Sequence, residues 1–141
     1  MSKSLAAIAL LVLVAPLALA GGYQPDKYAT AAYKAAQMAG QDGKNAKDGD
    51  PAAIEAGKAI FATKCATCHG PAGHGDGPAA IALDPRPADF SDASRWAFTS
   101  EGVKHWVILN GIKGTGMAPP GLSDDDAWNV LAYLQHDVLG H

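Results

Sequence analysis

Five consecutive residues, Cys65-Ala66-Thr67-Cys68-His69, constrain this chain more than any other feature. They hold both cysteines of the 141 residues. Four chemistries compete for them. A redox-active cysteine pair sits beside a strand and a helix start in a mixed α/β unit, and no such unit is legible here. A structural zinc site takes four ligands, and there is no second cysteine pair. A disulfide is the usual fate of two cysteines in an exported chain. The C-x-x-C-H order is the signature of covalent haem attachment. Two thiols three residues apart lie on one side of a helical turn and reach the two vinyl groups of one porphyrin. The next residue then offers an imidazole to the iron. Cys65, Cys68 and His69 are therefore assigned to haem c, with His69 as an iron ligand.

Composition fits a domain built around a cofactor. The overall apolar fraction is 48%, but it is inflated at the N-terminus and by alanine. Beyond position 20 only 18 residues are Val, Ile, Leu or Phe, whereas 24 are Gly or Pro. That is thin for a domain burying about two thirds of its chain surface. It excludes a large enzyme or a multi-domain machine. The formal net charge is −3 and no basic run exists, so no nucleic-acid partner is expected.

Residues 1–20 read as a cleaved signal peptide. Ser2-Lys3-Ser4 is a short positive start, Leu5 to Leu19 is apolar apart from Pro16, and Ala18-Leu19-Ala20 is a small-x-small cleavage site. The mature chain would start at Gly21. A retained anchor is the alternative, but about 15 apolar residues are few against the roughly 20 of a span. The expectation is an exported, soluble, periplasmic protein without stable membrane insertion. Residues 21–50 read as an N-terminal extension and linker, with an alanine-rich helix within Pro25–Gly40 and a polar stretch from Gln41 to Asp50. Residues 51–141 form the main domain. Asp50-Pro51 starts a helix that runs over residues 52–64 into the cysteines. Residues 70–99 are an irregular loop, Ser100–Asn110 a second helix and 111–121 another loop. Ser123 caps a last helix to about Val138, with Asp124, Asp125 and Asp126 in its first turn. No strand is predicted, so the fold class is all-α.

Haem iron needs a sixth ligand or keeps an open position. The candidates are Met117, Met38, His74, His105 and His136. Met117 lies in Gly114-Thr115-Gly116-Met117-Ala118-Pro119-Pro120, a loop that prolines stiffen and glycines relieve. Such a loop can hold a thioether over a flat ring. His105 is mid-helix and reads as a surface or packing residue, His74 reads as exposed, and Met38 is on the extension. Met117 is the ligand selected, although methionine is also a common core filler.

These residues resemble the class I monohaem cytochromes c of bacterial periplasms, over about residues 52–138. The attachment run Cys65 to His69 with Gly70-Pro71, the Gly75-Asp76-Gly77-Pro78 and Pro85-Arg86-Pro87-Ala88-Asp89-Phe90 segments, and Asn110-Gly111-Ile112 through Thr115-Gly116-Met117 carry the resemblance. Ala118 replaces the proline usual directly after the methionine. The resemblance implies a small cytochrome c fold, with N- and C-terminal helices crossing around one covalently bound haem. Gly57 would permit the close approach, and Phe61 would pack on Val130 and Tyr133. The Pro78 carbonyl would accept the His69 Nδ1 proton. Trp106 would reach a haem propionate or be a buried aromatic. Arg86 would be a propionate partner or a solvated loop cation. Residues 21–50 lie outside the resemblance.

The function that follows is one-electron transfer between redox proteins by a His/Met-ligated haem, not enzymatic catalysis. Partners would meet an apolar rim at Ile112, Ala118 and Pro119, ringed by Lys104 and Lys113. Two other readings compete: a haem subunit of a larger oxidoreductase with residues 21–50 as docking arm, and an open-site peroxidase or ligand sensor.

Overall fold

The computed structural model describes residues 23–140. The proposed leader and its cleavage point before Gly21 lie outside them. The described residues form helices and loops without strands, in the order α1 Lys27–Met38, α2 Pro51–Lys64, α3 Ala66–His69, a 3-10 turn Ala80–Ala82, α4 Ala93–Ala97, α5 Glu101–Asn110 and α6 Asp124–Tyr133. A π-helical turn, Leu134–Val138, prolongs α6. The all-α class expected from the sequence is observed. Among the described residues no helix is long and apolar enough to cross a membrane.

The cap residues act as their types predict. Asp50 accepts the Ala52 N–H, with Pro51 in the first turn. Ser100 accepts from Val103 and Ser123 from Asp126. Each satisfies an N–H that the first helical turn leaves without a backbone partner.

Helices α2 and α6 cross at the centre. A Cβ built on Gly57 would collide with the Asn129 carbonyl oxygen, so only glycine allows the backbones this close. Phe61, 2% exposed, packs beside Val130, Ala132 and Leu134. Its ring centroid lies 5.4 Å from that of Tyr133. Gly57→Ala is expected to cost about 3 kcal/mol, the upper part of the usual overpacking range. The check is a lower denaturant midpoint at unchanged m-value.

The extension is built into this body. Asp26 caps α1 by accepting the Tyr28 and Ala29 N–H groups, each at 2.8 Å. Ala29, Ala32 and Ala36 form a buried face, and α1 packs against α5. Polar residues tie down the stretch after it. Gly102 N donates to Gly43 O at 2.8 Å. Buried Asn45 is held through its side chain: its Nδ2 donates to Trp128 O at 3.1 Å and to Gln135 Oε1 at 3.2 Å. Lys47 Nζ donates to Asn129 Oδ1 at 2.9 Å. The segment read from sequence as an appendage and linker is thus stitched to α5 and α6. The loop expected over 70–99 contains two short elements, the 3-10 turn and α4. Asp92 caps α4, accepting from Ser94 and Arg95.

Candidate haem site

Helix α2 ends where the cysteines begin. Cys65 N donates to Phe61 O at 2.9 Å, and Cys68 and His69 both donate to Cys65 O, at 3.1 and 2.9 Å. This single turn, α3, carries Cys65, Cys68 and His69 into the wall of one cavity of about 420 Å³. Cys65 and Cys68 are not joined to each other in a disulfide. Burial, with Cys68 adding a smaller contribution, pushes the Cys65 thiol up to about 11.

His69 is buried and stacks on Phe90, with ring centroids 4.6 Å apart. Its Nδ1 lies 3.1 Å from the Ala88 carbonyl oxygen. A carbonyl only accepts, so Nδ1 carries the proton and Nε2 keeps a free lone pair. Burial lowers the imidazole pKa, outweighing the Ala88 bond, so the ring is held as a neutral ligand. The acceptor expected from the resemblance, the Pro78 carbonyl, does not serve. The loop around Pro78 binds the back of α3 instead. There Gly75 N donates to His69 O at 2.8 Å, Gly77 N to Cys68 O at 3.2 Å and Ala79 N to Thr67 O at 3.0 Å. Phe90 N donates to Gly73 O at 2.8 Å, which holds the 88–90 segment beside the imidazole. The Ala88 carbonyl is the acceptor that sequence reasoning missed.

Met117 lines the same cavity. Gly111 ends α5 with φ +67°, and a Cβ there would collide with the Met117 carbonyl oxygen. The loop then closes on itself: Ile112 N donates to Met117 O at 2.8 Å and Met117 N to Thr115 Oγ1 at 3.1 Å. None of the other ligand candidates lines the cavity. Met38 is 80% exposed. His74 and His136 are exposed beside Asp89 and Asp137. His105 is buried, stacked on Trp128 at 3.9 Å, with Nε2 3.1 Å from the Asp124 carbonyl.

The cationic part of the wall differs from expectation. Arg86 lines it while remaining exposed. Trp106 does not line it. On α5 the cavity-lining positions are Lys104, Val107 and Ile108, a helical i, i+3, i+4 set that turns Trp106 elsewhere. The tryptophan in the wall is Trp96 of α4, accompanied by Arg95. Lys104 was expected on an outer rim. It instead lines the cavity, its Nζ donating to Thr99 O and lying 5.0 Å from the Trp96 ring centroid. Desolvation brings its pKa down to about 8. Arg95 stands 4.0 Å over the Tyr23 ring, and its Nε is buried without a hydrogen-bond partner. The other such buried side-chain atom among the described residues is His105 Nδ1. Neither Arg95 nor Lys104 makes an ion pair among the described residues. Half-buried cations beside apolar wall residues call for an anion. A haem presents a large apolar ring for that wall, two carboxylates for these cations and an iron for His69. The residues fit the group.

The cytochrome c family model matches residues 54–137. The chain belongs to the cytochrome c family. As a class I c-type cytochrome it carries covalently bound haem c with its iron. A similar solved structure is a chain of the Kuenenia stuttgartiensis reducing HAO-like protein complex Kustc0457/Kustc0458. It is 32% identical, with a TM-score of 0.51, over 60% of this cytochrome and 43% of that chain. The cytochrome thus spans less than half the length of its structural neighbour. No curated protein matches the chain.

Proposed function

We propose that the protein is an exported, periplasmic one-electron carrier with a single haem c, held by thioethers to Cys65 and Cys68 and ligated by His69 and Met117. The observation that carries this reading is the shared wall: of the five candidate sixth ligands, Met117 alone lines the cavity with the attachment residues. Haem supplies a one-electron Fe(II)/Fe(III) couple. The chain's own residues fix everything else. Ala88 orients the His69 imidazole and raises its basicity through the Nδ1 proton. The Gly111-to-Met117 turn holds a weak thioether donor, which favours the reduced state and raises the potential. Two protein ligands leave no open position for a substrate, so the protein is a carrier and not an enzyme. The apolar leader at residues 1–20 supports export.

The reduced protein at neutral pH is expected to bind no carbon monoxide, checked by its visible spectrum before and after exposure to the gas. Ready binding would favour the open-site reading. A second reading, a haem subunit within a larger oxidoreductase, is favoured by the likeness to a chain of a multi-protein complex. Gel filtration of the protein from its native source separates the two, since a carrier elutes as a free small protein. A transient redox interface is small, below about 1,200 Å² in total.

A further inference from the structure

Residues 23–50 fall outside the family match at 54–137, yet they complete the haem cavity. Tyr23, Asp26, Ala29 and Tyr33 are part of its wall. Their grip is on α4, the element that brings Arg95 and Trp96 to the site. Tyr23 N donates to Ser94 Oγ at 3.0 Å. The Tyr23 ring lies under the Arg95 guanidinium and edge-on to Phe98, centroids 5.4 Å apart. Tyr33 approaches Phe98 at 5.9 Å. Aromatic pairs and cation–π contacts of this kind contribute about 0.5–1.5 kcal/mol each, enough to fix a five-residue helix that could not hold itself.

The two phenol oxygens are 3.3 Å apart. A pair of hydroxyls has two protons, and one bond between them uses one. The other has no acceptor among the described residues. Burial raises the Tyr33 pKa well above the usual phenol range, so its hydroxyl keeps its proton. Arg95 Nε likewise lacks an acceptor. Asp26 is the carboxylate on this wall, and its Oδ1 accepts two α1 backbone N–H groups. A spare O–H and a spare guanidinium N–H on one wall want an oxygen acceptor from inside the cavity.

We propose that the N-terminal extension is a strap across the haem, in which Tyr23 and Tyr33 position Arg95 and donate their spare hydroxyl proton to a haem carboxylate. This rests on the haem site described above. The strap covers the tyrosine side of the cavity. Redox partners therefore approach from the side where Ala118 and Pro119 are exposed.

Tyr23→Phe and Tyr33→Phe, singly and together, remove the hydroxyls and keep the rings on Arg95 and Phe98. Arg95→Lys keeps the charge and removes Nε. The readout is the propionate bending band in the resonance Raman spectrum of the holoprotein, with thermal melting as control. A downward shift of the band is expected in the double tyrosine variant and in Arg95→Lys, with melting and methionine ligation retained. A purely structural tyrosine pair would move the melting temperature and leave the band in place. An unmoved band in haem-loaded variants overturns the strap. If the double variant takes up no haem, the single tyrosine variants decide by the same criterion. A wild-type chain without covalent haem overturns instead the site reading on which the strap rests.

Discussion

Replacing Cys65 and Cys68 together by serine gives a chain with no covalent haem and no cooperative thermal transition. The reason lies in what fills the middle of this domain. Beyond position 20 the chain has only 18 Val, Ile, Leu and Phe residues, and several of them line the cavity. At about 24 cal/mol per Å³ of unfilled space, a rigid void of about 420 Å³ would cost on the order of 10 kcal/mol. Whole-domain stabilities are about 5–15 kcal/mol, so the wall collapses and the helices lose their common core. Arg95 and Lys104 add to the cost, because without an anion they remain desolvated and unpaired. Intact mass reports haem attachment, and the same spectrum of the wild type reports a mature start at Gly21. Circular dichroism reports melting. A serine variant with native-like cooperative unfolding would contradict this dependence.

Met117→Ala is expected to lower the midpoint potential by a few tenths of a volt, within the roughly 0.8 V span that axial ligands command. The same variant loses the charge-transfer band of iron–thioether bonding in the oxidised state. In the reduced state it gains carbon monoxide binding. The fold should survive, because Met117 sits on a loop whose shape depends on Gly111, Ile112 and Thr115. Met38, His74, His105 and His136 cannot substitute for it, since none of them lines the cavity. A variant with an unchanged spectrum and potential would remove Met117 from the iron.

Much of the fold was legible from local chemistry. Asp50-Pro51, Ser100 and Ser123 announce their helices because a cap is a contact between residues two or three apart. The cysteine run announces its cofactor because both thiols and the imidazole belong to one turn. What was not legible depends on distant partners. The acceptor for His69 is 19 residues along the chain, placed by the Phe90–Gly73 bond and not by the nearer Pro78. Helix α4 is five residues long and depends on contacts with the extension, so no periodic signal marks it. Arg95 and Trp96 therefore passed unnoticed while Arg86 and Trp106 drew attention. The buried face of α1 consists of Ala29, Ala32 and Ala36, and alanine on every side of a helix hides which side is buried. Lys104 looked like a rim charge because a lysine on an α5 face is usually solvated; here its stem and amine line the cavity.

His69/Met117 ligation of a one-electron haem is tested most directly by a reductive titration of the wild-type protein followed in the visible spectrum. A single reversible wave with the slope of one electron is predicted, with the iron–thioether band present throughout the oxidised state at neutral pH. Absence of that band, or a reduced form that takes up carbon monoxide during the titration, would contradict it.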